Sequence, residues 1–299
     1  MPIYHMTYLS DNFKVKGYRG LPPSYRIDGD DLSKWLRKHY RSKALFPNET
    51  LQPADNSANQ LDLFNPDPKQ VPLPGFIYCR GGIKKVGAVK LEWVEEFASF
   101  GYAVFAPSYR GNEGGQGKDT FGGQDREDVF EAFRFMQELP FVDRDRVSIM
   151  GFSRGAVNAL LAAANLEGVY RAVTWGGVAD LALTYDQRPD LRKMLIRVTG
   201  GTPEEVPEAY QERSPLAFAQ KIHCPVLVMH GTNDVQVDFS QGEALYARLK
   251  ELGKTVAFHR LEGLGHHMPE PEHGQAVAAM FDWLKSDVAA SLREPTNRP

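Results

Sequence analysis

The chain has 299 residues, 42% of them hydrophobic, and 35 Lys or Arg against 38 Asp or Glu give a net charge of −3. That length buries an ample core without covalent staples, and a slightly acidic balance argues against nucleic acid or an anionic membrane surface as partner. The two cysteines, Cys79 and Cys224, form neither a metal-binding spacing nor a disulfide framework, and at the edges of apolar runs they read as reduced structural residues.

The start, MPIYHMTYLSDNF, lacks the basic n-region and continuous apolar core of a secretory signal. No apolar run approaches the roughly 20 residues that span a bilayer, so a soluble cytoplasmic protein is expected. From Tyr4 to Leu21 apolar residues alternate around a polar Ser10-Asp11-Asn12, which predicts an antiparallel hairpin. Residues Asp28 to Ala44 carry Leu32, Trp35, Leu36, His39 and Tyr40 on one helical face, opposite a basic one. A basic amphipathic helix can bind membranes or partners, but more commonly packs one face and solvates the other. The stretch from Pro47 to Pro74, rich in Pro and Asn, reads as a long loop, so residues 24–73 are expected to form an insertion or arm.

From Gly75 strands and helices alternate. Strands are predicted at Gly75–Cys79, Tyr102–Ala106, Ala172–Trp175, Pro225–His230 and Val256–His259. Helices are predicted at Leu91–Phe100, Gln124–Leu139, Phe239–Leu252 and Glu272–Leu284, the third capped by Asp238 with Gln241 in the capping-box position. Such alternation implies an α/β fold, with a mostly parallel sheet covered on both faces. Residues 177–219 interrupt the rhythm with two helical patches, Leu181–Val198 and Pro203–Glu212, placed to act as a small cap over the strand ends. One domain over residues 1–299 is expected.

The chemistry centres on Arg146–Leu161, RVSIMGFSRGAVNALL. A buried strand breaks at Gly151-Phe152-Ser153-Arg154-Gly155 and resumes as an amphipathic helix. Gly-x-Ser-x-Gly between strand and helix is a nucleophile elbow, with Ser153 on a strained turn and the Arg154 N–H aimed at developing negative charge. A serine needs a base, and the base an orienter. Two later strand ends supply them. Asp234 follows PVLVMH within Gly231-Thr232-Asn233-Asp234, and His266 follows the next strand within Gly263-Leu264-Gly265-His266-His267. His266 is preferred to His267 because the Gly-x-Gly before it permits a tight turn. His230 reads as a structural hydrogen-bonder. A metal site from His266, His267 and His273 matches no zinc spacing, so neither metal nor cofactor is expected. The glycine-rich Arg80-Gly81-Gly82-Ile83 is a source for a second oxyanion donor, with Gly82 the best candidate. The run Gly111–Lys118 imitates a phosphate loop but has Asn112 and Asp119 where that loop needs Gly and Ser or Thr.

Together, TYLSDNFKVKGYRGLP, SYRGNEGGQG, GFSRGA, PVLVMHGTNDVQV and GLGHH resemble the catalytic domain of α/β-hydrolases of the prolyl oligopeptidase type. The resemblance covers the N-terminal hairpin and nearly everything from Gly75 to Leu284. It implies a Ser153–His266–Asp234 triad. Arg80 stands where relatives often have His or Tyr before the glycine pair, and residues 25–73 are too short for the β-propeller that filters peptides in the family's peptidases. The expected function is therefore a serine hydrolase cleaving carboxylic esters or small amides through an acyl-enzyme, with a peptidase of prolyl oligopeptidase or aminopeptidase type as the alternative, and a silent binding module as a reading from another class. The expected partner is a small-molecule ester or short peptide; a homo-oligomer stays open.

Overall fold

The computed structural model describes residues 3–23, 25, 52–53 and 71–287. The helix expected over residues 28–44 and most of the expected arm lie outside these. The chain divides into two compact units, Met1–Thr120 with Gln124–Val147 and Phe121–Gly123 with Ser148–Pro299.

In the first unit, β1 (Ile3–Ser10) and β2 (Phe13–Gly20) form the expected hairpin. Asp11 and Asn12 turn it with φ of 48° and 67°, the left-handed pair that suits a two-residue connection between twisted strands. The short β3 (Gln52–Pro53) pairs with β1. β2 runs antiparallel to β5 (Ala103–Pro107), and β5 runs parallel to β4 (Leu73–Cys79). Helices α1 (Leu91–Ser99) and α2 (Arg126–Glu138) each bury one apolar stripe. Phe76, Tyr78, Trp93, Phe97 and Tyr102 pack edge-on or tilted with ring centroids 5.4–5.9 Å apart, the offset arrangement that aromatic quadrupoles favour.

The loop after β5 is tied down by two buried arginines. Arg110 gives Asp128 of α2 three hydrogen bonds, from its backbone N–H, Nε and Nη2. Arg80 donates from Nε and Nη2 to the Ser108 carbonyl and stacks on the Tyr109 ring. Within residues 111–118, Gly111 N bonds Gln116 O, Asn112 N bonds Tyr109 O, Gly115 N bonds Asn112 O and Gln116 N bonds Lys14 O of the hairpin, which ties the loop to itself and to β2.

β6 (Val142–Phe152) begins in the first unit and ends in the second. It is four residues longer at its start than the elbow stretch predicts. In the second unit β6, β7 (Ala172–Trp175), β8 (Val226–Gly231) and β9 (Val256–Leu261) pair in parallel, in that order. Helices α3 (Gly155–Asn165), α8 (Phe239–Glu251) and α9 (Glu272–Lys285) alternate with these strands. Between β7 and β8, over the residues expected to form a cap, lie the helices α4 (Leu181–Gln187), α5 (Arg192–Thr199), α6 (Pro207–Gln211) and α7 (Pro215–Phe218). The first helical patch breaks at Pro189, which opens a short 3-10 turn after Arg188 takes φ −126° and ψ 76°. The residue before proline is driven out of the helical region, and proline has no N–H to continue the ladder. Both cysteines are buried, and burial pushes the Cys224 thiol up to about 12.

Asp238 caps α8 through the Ser240 N–H as expected, but Gln241 does not close a capping box. Its Oε1 accepts from the backbone N–H groups of Ala179 and Asp180, and its Nε2 donates to Asp180 O, Thr184 Oγ1 and Gln187 Oε1. One buried amide thus fastens the start of the cap to α8. Gln241→Ala strands two backbone donors and should lower stability by about 1–3 kcal/mol, measured as a fall in the urea midpoint.

Candidate active site

All of the strand-end residues named from the sequence except Gly82 lie in the second unit. Ser153 sits between β6 and α3 with φ of 56°, a left-handed conformation that a non-glycine residue holds only when its surroundings enforce it. Three hydrogen bonds do so. Ser153 N donates to Trp175 O at 2.9 Å, while Ser153 O accepts from Ala156 N at 3.1 Å and Val178 N at 3.2 Å. The turn also needs a bare backbone at Gly151, where a Cβ would come within 2.4 Å of Ala156 N and of the Gly155 carbonyl. The Arg154 side chain is buried, with its guanidinium 5.1 Å from the Phe121 ring centroid.

Asp234 and His266 are brought together. His266 Nδ1 lies 2.7 Å from Asp234 Oδ2, and both side chains are buried. Asp234 Oδ1 accepts from the backbone N–H of Gln236 at 2.8 Å and of Val237 at 2.9 Å, closing a turn around the carboxylate. Burial alone would raise the Asp234 pKa, but the N–H groups of His230, His266 and Val237 directed at the carboxylate outweigh it and hold the carboxyl well below the usual carboxylate range. A carboxylate on Nδ1 makes that nitrogen the protonated one and leaves Nε2 able to accept. The His266 ring packs on Phe152, the residue before the serine, at 4.7 Å between centroids. His267 is exposed and meets the edge of the His266 ring at 5.2 Å. His273 stacks on Trp175 at 5.5 Å.

Gly82, in the first unit, has φ of 62°, and a Cβ there would lie 2.8 Å from Gly87 Cα. Arg80 shapes this turn through its Nη1, which donates to Gly81 O at 3.1 Å and Gly82 O at 3.4 Å. The arginine that replaces a His or Tyr is thus a structural clamp.

Two neighbours of the pair escape a reading of motifs. Gly176, with φ of 52°, carries the backbone against the pair, and a Cβ there would lie 3.0 Å from His266 Nδ1 and 3.1 Å from Asp234 Oδ2. The Gly176-Gly177 doublet after β7 is the signal that marks it. Arg188, from the cap, donates to the Gln236 carbonyl and pairs with Asp190 through Nε at 2.8 Å and Nη2 at 2.7 Å. The Gln236 peptide is therefore held at its N–H by Asp234 and at its carbonyl by the cap.

The strained serine between strand and helix, and the carboxylate-bound imidazole packed on its neighbour, lie in an α/β-hydrolase fold, the class to which the protein belongs. Among solved structures, a puromycin-hydrolyzing peptidase of Mycobacterium tuberculosis matches with a TM-score of 0.71 and 22% identity, over 95% of this chain and 38% of that one. Residues 90–290 match the prolyl oligopeptidase family. The uncharacterized peptidase YtmA of Bacillus subtilis is 46% identical over 213 residues, which cover 71% of this chain and 83% of YtmA. Dipeptidyl-peptidase 5 of Porphyromonas gingivalis is 25% identical over 232 residues, 72% of this chain and 34% of that protein.

The chain belongs to the prolyl oligopeptidase family. It spans most of YtmA but only about a third of dipeptidyl-peptidase 5 and of the tuberculosis peptidase. Among the described residues, no helix is long and apolar enough to cross a membrane.

Gly176→Ala should strain a left-handed backbone and crowd the His266–Asp234 pair by a few tenths of an ångström, lowering kcat/KM by less than the roughly 10²-fold of a 1 Å misplacement. Far-UV circular dichroism should be unchanged.

Proposed function

We propose that the protein is a serine peptidase that hydrolyses short peptides or aminoacyl amides through an acyl-enzyme, and that cleaves activated esters by the same route. The observation that carries the proposal is the 2.7 Å contact between His266 Nδ1 and Asp234 Oδ2 in the unit that holds Ser153 at φ 56°. Relatives described as peptidases move the emphasis from the ester cleavage expected of the sequence to the amide cleavage that was its alternative.

In the proposed reaction His266 Nε2 takes the Ser153 proton as Oγ attacks the acyl carbonyl. Asp234 holds the imidazole in the required tautomer and stabilises the imidazolium. The oxyanion is met by the Arg154 N–H at the start of α3. Collapse breaks the acyl bond, and the leaving amine or alcohol departs with the proton held by His266. Water, deprotonated by the same imidazole, then releases the acid and restores Ser153. The helices between β7 and β8 supply walls that select the acyl and leaving groups.

A fluorophosphonate probe should label wild-type protein and not Ser153→Ala, and Asp234→Asn should reduce kcat by about 10⁴ with little loss of fold. Labelling that persists in Ser153→Ala would remove the serine from the mechanism. Aminoacyl amides and p-nitrophenyl esters compared on the purified protein decide the substrate class; turnover of esters alone would reject the peptidase reading.

The depressed Asp234 pKa also fixes a pH dependence. A carboxyl depressed in the folded state contributes stability that is fully present above its unfolded pKa near 4 and is lost as pH falls through the lower folded value. Asp234→Asn should therefore narrow the stability gap to wild type as pH falls below about 4, measured by chemical denaturation across pH.

A further inference from the structure

Asp234 faces a second imidazole. His230 ends β8, is buried, and places Nε2 2.9 Å from Val237 O and 3.5 Å from Asp234 Oδ2. A carbonyl oxygen only accepts, so Nε2 carries a proton and donates to it. The same N–H leans towards Oδ2, at a distance that makes this contact one of charge and dipole rather than a full hydrogen bond. Oδ2 is also the oxygen that meets His266.

The ring has no freedom to turn away. A Cβ at Gly242 of α8 would lie 2.5 Å from His230 Nδ1, so only a glycine lets the helix pass, and Phe239 meets the ring edge-on at 5.7 Å. The other charged groups acting on this cluster are Asp238 at the cap of α8, which feels both His230 and Asp234, and Arg188 from the cap helices, which feels Asp234. Asp238 bonds Ser240 N, and Arg188 bonds Asp190 and Gln236 O. His230 is thus the side chain that reaches both the carboxylate and the carbonyl closing the Asp234 turn.

We propose that His230 is a positioning residue for the reaction: its Nε2–H locks the Asp234 turn through the Val237 carbonyl and supplies a second donor to the oxygen that faces His266. The inference rests on the catalytic roles proposed above. Each donor directed at a carboxylate lowers its basicity. Without the His230 N–H, Oδ2 keeps one side-chain donor, binds the His266 imidazolium more tightly, and leaves the base harder to deprotonate. The Val237 carbonyl also loses its partner, and the turn that aims the carboxylate slackens. A histidine that merely fills the core would affect stability without touching the titration of activity.

The experiment compares His230→Gln, His230→Asn and His230→Phe with wild type, each normalised to fluorophosphonate-reactive serine. Gln carries its amide nitrogen to about the position of Nε2, Asn holds it one bond short, and Phe fills the space with no donor. In Phe and Asn, kcat/KM should fall about tenfold, the effect of one charge-directed donor. The fall should lie in kcat rather than KM, with the acid limb of the pH profile moved to higher pH by roughly half a unit or more. Gln should restore the wild-type limb. A limb at the wild-type position in Asn, or equal profiles for Gln and Asn, overturns the proposal, and that comparison holds even if Phe fails to fold. His266→Ala is assayed alongside: wild-type turnover in that variant would overturn the catalytic reading itself, independently of the His230 result.

Discussion

The second unit depends on keeping one buried carboxylate ionised. A lone charge of that kind cannot persist away from water, so the chain surrounds Asp234 with donors: two backbone N–H groups on Oδ1, and an imidazole N–H in hydrogen-bonding contact with Oδ2. These partners come from different parts of the chain. Gln236 and Val237 follow Asp234 in its own loop, and His266 arrives from the loop after β9. Satisfying the charge therefore also fixes the register of two loops at the carboxyl ends of neighbouring parallel strands, where ligands of such sheets gather.

The elbow works by the opposite means. Ser153 is held in an unfavourable backbone region by hydrogen bonds to Trp175 O and from Val178 and Ala156. Two of those three partners, Trp175 and Val178, flank the glycine doublet that follows β7. The strand that supports the serine thus also delivers Gly176 to the carboxylate–imidazole pair. Strain at one residue and close approach at the other share a single support, so neither can relax without the other.

Much of this was legible in the sequence because its signals are local. The alternation from Tyr4 to Leu21 predicts the hairpin, and the strand predicted at Ala172–Trp175 matches β7 to the residue. Ser153, Asp234 and His266 stand out because each follows a predicted strand, and Gly263-x-Gly265 favours His266 over His267; His266 is the imidazole that meets Asp234. What escaped depends on partners distant in sequence. Gln241 stands three residues after Asp238, where a capping box would place it; that its amide instead finds Ala179 and Asp180 requires knowing what packs on α8. Arg188 holds a carbonyl 48 residues away, and no periodicity announces that. The break at Pro189 could have been read locally, since proline forbids the helix that the apolar spacing promised.

The N-terminal hairpin has a role apart from chemistry. β5 is a parallel strand with β4 on one side, and its other side is taken by β2, from Gly17↔Pro107 to Gly20↔Val104. β1 then covers β2 along its whole length, and a two-residue bridge at Gln52–Pro53, with a proline in it, meets β1. An open strand edge is a template for pairing with other chains. The hairpin and the short β3 thus act as an edge guard: they place antiparallel strands, and finally Pro53, where a bare parallel strand would otherwise recruit a neighbouring molecule and begin aggregation.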